Sequence, residues 1–451
     1  MGWQSKKSKI KAIGTGAFGD NPELAGSYLE NDMQRNISVN LGNIVLSLSD
    51  VLDLASPSLA QHQQRTAFVA LEMGKAAKLS NDRLENVFIA ALLHDVGALS
   101  LEEKISIRNF DVGNPEDHCI RGETLLNNIS WLKNSAKIIR FHHKEWQSWE
   151  ESIENPLVLD SQLLSLADYL ERQIMRERYI LHQYEDIISK INSLSGSLLH
   201  PQVVDFFNSI SHSEEFWLDL VSPRLYSLLL NNGPFRKIEI GFSDISMIAD
   251  LFRNIIDFRS RFTSTHSSGV AASASMLARI FGFTDEEVGL MEVAGNLHDI
   301  GKLAIPNSIL DKPEKLTKEE MSVMKSHTYY TYLVINSIGG LKHIAEWAAY
   351  HHERLDGSGY PFHCTAAELS TGSRILMVSD IFTALAEDRP YRKGMSKEGI
   401  IQIIKQFSDG NLLDSRIVNL LFENYEEVFS HMAEKQAVAR EFYENQFSFF
   451  H

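Results

Sequence analysis

The sequence predicts an all-α fold made of two tandem helical bundles. Three observations predict it. Apolar residues recur at three- and four-residue spacing through most of the chain. Strand-like alternation is rare, and Lys237–Ile240 is its best candidate. One ordered set of histidines and aspartates occurs twice, which points to an internal repeat.

The elements follow in order. Residues 1–40 are glycine-bearing and weakly periodic and read as a lead-in; the basic residues near Met1 have no apolar run behind them, so no secretory signal is expected. The first bundle is expected over 41–220, with helices near 41–54, 64–79, 121–142 and 157–192. Between them Leu84, Val87, Phe88, Ala91 and Leu92 recur at helical spacing, and Asp95 continues their stripe. An aspartate facing a core is costly unless it is paired or binds a cation. Residues 221–245, with Pro223 and Asn231-Asn232-Gly233-Pro234, read as the linker. The second bundle is expected over 246–451. Its helices fall near 246–258, 267–282, 317–338, 373–387 and 396–408, and another starts at Thr284 with Glu287 completing a capping box. The tail 431–451 reads as helical, and Phe447, Phe449 and Phe450 at its end need a lobe or a partner to cover them.

Composition narrows the class. The chain has 451 residues, 44% hydrophobic and 23% charged, as a folded soluble protein of two or three domains would. The net charge of −16 comes without long runs of like charge, which argues against binding a nucleic-acid polymer. Charges interrupt every apolar run, so no membrane span is expected. Two cysteines, Cys119 and Cys364, exclude a disulfide scaffold and a cysteine-based zinc site. A cytoplasmic protein is expected.

The repeat carries the chemistry. His62 precedes His94-Asp95 by 32 residues, and His266 precedes His298-Asp299 by the same 32. His118 precedes His142-His143 by 24, and His327 precedes His351-His352 by 24. Asp168 and Asp380 close the two sets. The offset between copies grows from 204 to 209 to 212, as short insertions between helices would make it. Imidazoles suit iron, manganese, zinc and similar ions, and a carboxylate can bridge two. Five histidines and two aspartates exceed what one ion needs and fit a pair about 3.5–4 Å apart, which can activate water and neutralise a phosphodiester oxygen. A lone histidine is ordinarily a satisfied core or surface residue, and His182, His200, His212, His343, His363, His431 and His451 are read so. In the second copy Lys302 lies one turn beyond Asp299, where its ammonium can reach the same phosphate. Two glycines let the segment Asp356-Gly357-Ser358-Gly359-Tyr360-Pro361 turn tightly behind His351-His352, and Tyr360 can stack on a base. Arg389 and Arg392 add cations after Asp380.

Residues 246–451 resemble an HD-GYP domain, a branch of the HD phosphohydrolases that hydrolyses cyclic dinucleotides. The strings carrying the resemblance are IIDFRSRFTSTHSSGVA, HDIGKLAIP, KSH, HHERLDGSGYP and SDIFTALAEDRPYR. It implies a helical bundle holding two or three metals, commonly iron or manganese. It implies cyclic di-GMP or 3',3'-cyclic GMP-AMP as substrate, opened to the linear dinucleotide and often onward to mononucleotides by a hydroxide attacking phosphorus in line. It assigns His266, His298, Asp299 and Asp380 to one metal and His327, His351 and His352 to a second, with Asp299 bridging. It assigns Asp299 and Lys302 to catalysis, and Lys302, Asp356, Gly359, Tyr360, Arg389 and Arg392 to the nucleotide. Members with a third metal place a glutamate just before the first histidine; residues 260–265 have no carboxylate, so two metals are expected.

Residues 41–220 resemble a divergent HD domain. The ligand types His62, His94, Asp95, His118, His142, His143 and Asp168 are all present, but Ala98 stands where Lys302 does, and Lys-Glu-Trp-Gln-Ser-Trp replaces the GYP loop. This lobe reads as a second phosphohydrolase for another phosphate ester, as a regulatory lobe, or as a structural one. The rival for the second lobe is a signalling module that binds the nucleotide or docks a GGDEF-type cyclase without turnover. A general mononucleotidase is the third reading, and it suits the first lobe better than the second.

Overall fold

Helix starts are written into the chain as side-chain caps. Thr284 accepts from the Glu287 amide while Glu287 reaches back to Thr284, and Thr317 and Glu320 repeat the arrangement. Ser100, Asn155, His200, Ser370, Ser396 and Asp414 each cap one further helix. Each cap is worth about 1 kcal/mol.

The computed structural model describes residues 41–53, 59–98, 100–109, 115–235, 242–259, 265–388 and 393–447. The expected lead-in, the strand candidate Lys237–Ile240, Phe449 and Phe450 lie outside them. Among the described residues no strand forms, and the fold is all-α. The first lobe runs through α1 (Leu41–Asp53), α2 (His62–Ala76), α3 (Asn81–Leu93), α4 (Leu101–Arg108), α5 (Glu116–Leu126) and α6 (Lys133–Arg140). It continues with α7 (Pro156–Gln173), α8 (Tyr184–Ser193), α9 (Pro201–Ser211), α10 (Glu214–Leu220) and α11 (Leu225–Asn232). The second lobe has α12 (Phe242–Arg259), α13 (His266–Phe281), α14 (Asp285–Leu297), α15 (Asn307–Leu310), α16 (Lys318–Met324) and α17 (Ser326–Ser337). It ends with α18 (Lys342–Ala349), α19 (Thr371–Ala386), α20 (Lys397–Asp409), α21 (Ser415–Glu423) and α22 (Tyr425–Phe447).

Several helices are shorter than their periodicity predicts. The span 121–142 breaks after α5 at Asn127-Asn128, poor helix formers, and a 3-10 turn at Ser130–Leu132 buries Ile129 and Leu132. The second lobe breaks at the corresponding place through Gly339-Gly340, both at positive φ. The span 157–192 breaks between α7 and α8. There the buried Gln183 amide donates to the carbonyls of Met175 and Arg178 and accepts from the Met175 amide, replacing helical bonds. The span 317–338 divides at Lys325. The expected linker holds α11, whose Leu225 and Leu229 are buried against the first lobe.

Each lobe has its own core, around Phe88, Leu92, Phe207 and Trp217 in the first and Phe252, Met291, Ile335 and Phe382 in the second. Helix α1 serves both. It is buried around nearly its whole circumference: Ile44, Val45, Leu48 and Val51 share one apolar face, and Gly42, Leu46, Ser47 and Ser49 on its other sides are buried too. It packs on α2 and α3 of its own lobe and on α17 and the Ile300–Ala304 turn of the other. The Ser47 hydroxyl lies 2.6 Å from that of Ser337, and Asn43 donates to the Ile338 carbonyl at 3.4 Å.

Candidate metal centre

Helix ends bring the second-lobe set together. His266 opens α13, His298-Asp299 follow the last residue of α14, His327 sits in the first turn of α17, His351-His352 follow α18, and Asp380 lies within α19. A helix C-terminus leaves carbonyls without partners. The rings of His298, His327 and His351 use them, each donating from Nδ1 to the carbonyl three residues back, Gly295, Met324 and Ala348, at 2.6–2.7 Å. That bond fixes the tautomer and turns the Nε2 lone pair toward the lobe centre, as metal-ligating histidines require.

Two triads result: His266, His298 and Asp380 in one, His327, His351 and His352 in the other, each with ligand atoms within 4.8 Å of one another. Asp299 stands between them. Its Oδ2 is 3.1 Å from His298 Nε2, and its Oδ1 is 3.4 Å from His327 Nε2 and 3.9 Å from His351 Nε2. His298 Nε2 and Asp299 Oδ1 are buried without a hydrogen-bond partner. Orphaned buried donors and acceptors of this kind are costly, and divalent cations satisfy them, so the residues fit the metal pair. Burial, with the neighbouring charges of His352 and Lys302, pushes His327 down to about 3, and burial lowers His351 and His352 too, which keeps these rings neutral and ligand-ready. Burial works against His266 as well, but Glu387 and Asp380 reverse it and raise the ring to about 10, a measure of how strongly the pocket favours positive charge.

Around the triads, Lys302 Nζ is 2.6 Å from Asp299 Oδ2. Tyr360 lies over His352 at 5.0 Å between rings, with the Lys325 ammonium 5.1 Å from its own ring. Burial and the carboxylates of Asp380 and Asp299 raise the Tyr360 phenol, so it stays a donor. Gly359 packs so tightly on Glu353 that a Cβ there would come 2.4 Å from the Glu353 Cα. Asp356 is not part of the cluster: it is exposed, and its carboxylate caps the Ser358 amide at 2.9 Å. Arg389 and Arg392 lie outside the described residues.

Four residues absent from the expected set shape this site. Glu387 accepts from His266 Nδ1 at 3.1 Å, and Gln436 of α22 reaches both Glu387 and the Thr265 carbonyl. The buried Glu353 carboxylate accepts from the amides of Phe362, His363 and Cys364 and so holds the GYP loop. Lys325 is the fourth. Glu387 was findable, since seven residues after Asp380 is the same helix face.

The first lobe gathers its set in the same way. His94 and His142 donate from Nδ1 to Ala91 and Ile139. His62 Nε2 is 3.4 Å from Asp95 Oδ2 and 3.6 Å from Asp168 Oδ1, and His118 Nε2 is 3.6 Å from Asp95 Oδ1. Asp95 Oδ1, Asp168 Oδ1 and His143 Nε2 are buried without a hydrogen-bond partner. The surroundings differ. Glu171 accepts from His62 Nδ1 at 2.5 Å, and Arg108, Arg176 and Arg65 converge on its carboxylate at 2.9, 3.0 and 3.8 Å. Burial alone would raise Glu171; His62 and Arg108 bring it down to about 2. Arg172 holds Asp168 Oδ2 at 3.0 Å and lines a cleft of about 330 Å³ with His143, Asp168 and Tyr169. Cys119, set aside by sequence, is also here: its Sγ lies 3.7 Å from His118 Nε2.

Comparison with known proteins agrees with this geometry. The HD domain family matches residues 59–173 and again 250–417. The 3'3'-cGAMP-specific phosphodiesterase 1 of Vibrio cholerae is 30% identical over 406 residues, covering 87% of this chain and 93% of that protein. The 3'3'-cGAMP-specific phosphodiesterase 3 of the same organism is 26% identical over 81% of this chain and 90% of its own. A cyclic di-GMP phosphodiesterase response regulator of Xanthomonas campestris is 37% identical over 37% of this chain. The crystal structure of a V. cholerae cyclic GMP-AMP specific phosphodiesterase shares the fold, with a TM-score of 0.60 at 23% identity over 88% of this chain and 98% of that one. No helix among the described residues is long and apolar enough to cross a membrane. The chain belongs to the HD-GYP family of HD-domain phosphohydrolases, its first lobe being a divergent HD domain set ahead of the HD-GYP lobe.

Proposed function

We propose that the second lobe is a metal-dependent phosphodiesterase that opens a cyclic dinucleotide, 3',3'-cyclic GMP-AMP ahead of cyclic di-GMP, to the linear dinucleotide. The observation that carries this reading is the pair of triads joined by Asp299, with Lys302 and Tyr360 at their edge. The V. cholerae relatives that cover both lobes are named for 3'3'-cGAMP, whereas the X. campestris relative, named for cyclic di-GMP, covers a third of the chain or little more. Two divalent ions, iron or manganese by family resemblance, supply when bound an activated water and neutralise charge on the phosphodiester.

The chain's own residues do the rest. Glu387 fixes the His266 ring, and backbone carbonyls fix those of His298, His327 and His351. Lys302 holds the bridging carboxylate and places one further cation beside the phosphate. Tyr360 offers an O–H donor and a stacking face, held by Glu353 and Gly359 through the loop they brace. Arg389 and Arg392 add contacts to the nucleotide.

The first lobe is a second phosphohydrolase acting on a smaller phosphate ester such as the linear product. Arg172 beside the cleft at His143 supports this over a purely structural role. The test is anaerobic turnover of both cyclic dinucleotides with iron(II) or manganese(II), products resolved by chromatography, beside Asp299→Ala and Asp95→Ala. Ring opening lost only in Asp299→Ala, with a linear product accumulating in Asp95→Ala, is the expected result. No turnover with either metal would sink the assignment.

A further inference from the structure

The two lobes differ at one position inside the metal centre itself. Cys119 follows His118 in α5 and is 1% exposed. With His118, His142 and His143 it forms a group whose ligand atoms all lie within 4.8 Å of one another. His118 Nε2 is 3.4 Å from His142 Nε2 and 3.7 Å from Cys119 Sγ, and Sγ is 3.5 Å from the His142 ring at Nδ1. A tetrahedral ion with nitrogen and sulfur bonds of about 2.0–2.3 Å spaces its ligand atoms about 3.4–3.6 Å apart, so the distances from His118 Nε2 to His142 Nε2 and to Cys119 Sγ are close to the edges of a site of that size. A second observation points the same way: Asp95, 3% exposed, leaves Oδ1 unpartnered 3.6 Å from His118 Nε2, and His143 Nε2 is likewise orphaned. The thiol's other neighbour is the Pro115 carbonyl at 3.3 Å, a weak contact that does not hold it away from the histidines. In the second lobe the corresponding residue is Thr328, whose hydroxyl is turned onto the Lys325 carbonyl at 2.9 Å.

We propose that Cys119 is a metal ligand, making one position of the first lobe a His-His-His-Cys site that selects a soft ion of the zinc type, while the second lobe keeps an all-nitrogen-and-oxygen pair. Thiolate draws zinc and its like, whereas imidazole and carboxylate accept iron and manganese. One chain then carries two metal identities, and the lobes can be loaded and stripped separately. The inference rests on the reading that the first lobe holds metal.

The experiment loads the metal-free full chain with cobalt(II) and reads the near-ultraviolet sulfur-to-cobalt charge-transfer absorption. The wild type and Cys364→Ser should show it; Cys119→Thr, which installs the second lobe's residue, should lose it and weaken zinc binding by about 10-fold or more. Zinc-edge X-ray absorption of the unmutated protein should show one sulfur at about 2.3 Å, so the answer does not hang on a variant that folds. A wild type with no sulfur band and only nitrogen or oxygen around zinc would overturn the inference. Metal stoichiometry separates the two failures. If His118→Ala lowers metal content while no sulfur signal exists, the first-lobe site stands and Cys119 is not in it. If His118→Ala leaves content unchanged, the first lobe holds no metal and both readings fall.

Discussion

In the second lobe the carboxylate that holds the first histidine, Glu387, is met by an amide, Gln436. In the first lobe the carboxylate in that role, Glu171, is met by three arginines, and Arg172 holds Asp168 besides. Inside those shells the two centres are nearly superimposable in kind: helix-end histidines, carbonyl-fixed rings and a central aspartate. The difference teaches that helix termini specify the ligands, while the two lobes part company one layer out. There the second lobe gained Lys302, Tyr360 and a braced loop, and the first gained guanidinium groups and a cleft of about 330 Å³.

The strongest way to break this comparison is to remove the bridging carboxylates. Asp299→Ala should cut cyclic-dinucleotide opening by about 10³-fold, because the site loses the group joining both metals. Asp95→Ala should leave ring opening unchanged within about twofold and alter only what happens to the product. Equal losses from both would show that the lobes share one reaction.

Next come the outer carboxylates. Glu387→Gln and Glu171→Gln should each weaken metal binding about 10–100-fold in their own lobe, read by titration with a metal-sensitive dye. Glu171→Gln should also cost about 3 kcal/mol in urea unfolding, since three arginines lose a buried counter-charge; Glu387→Gln should not. Then comes the loop. Gly359→Ala drives a Cβ against the Glu353 backbone, a strain of about 1–3 kcal/mol that should raise KM for the cyclic dinucleotide while leaving metal content intact.

The smallest effect compares a buried ion pair from each lobe. Asp414 accepts from Arg374 and Arg416; burial opposes its charge, but the two guanidiniums bring it down to about 2. Its contribution is therefore complete above the ordinary carboxylate value of about 3.9 and is lost as pH falls through about 2. Asp414→Asn should cost about 1 kcal/mol near neutral pH, a gap that closes in acid. In the first lobe burial outweighs the Arg83 pull and raises Asp160, so Asp160→Asn should cost less at neutral pH. Urea midpoints of both variants across that range check the contrast.

Much of this was legible in the sequence because the ligands repeat at fixed spacing and sit at helix ends marked by caps. The pairs His94-Asp95 and His298-Asp299 announce their place by following apolar helical stripes. What was not legible lies far along the chain from what it touches. Gln436 meets Thr265 from 171 positions away, and nothing local marks it. Glu353 looks like any charged residue after a histidine pair until the loop folds back and offers three amides. The helix breaks were hidden for a related reason. Gln183 ends a helix by bonding backbone eight residues upstream, which apolar periodicity does not register. Cys119 was discounted because cysteines were counted across the whole chain rather than judged by the company His118 keeps.

Helix α1 belongs by order to the first lobe, yet it roofs the Ile300–Ala304 turn that follows the second lobe's His298-Asp299. The second catalytic turn is thus finished with material borrowed from the other copy. Deleting Leu41–Asp53 would therefore open the core of the first lobe and, in the same stroke, uncover the turn that follows Asp299 in the second.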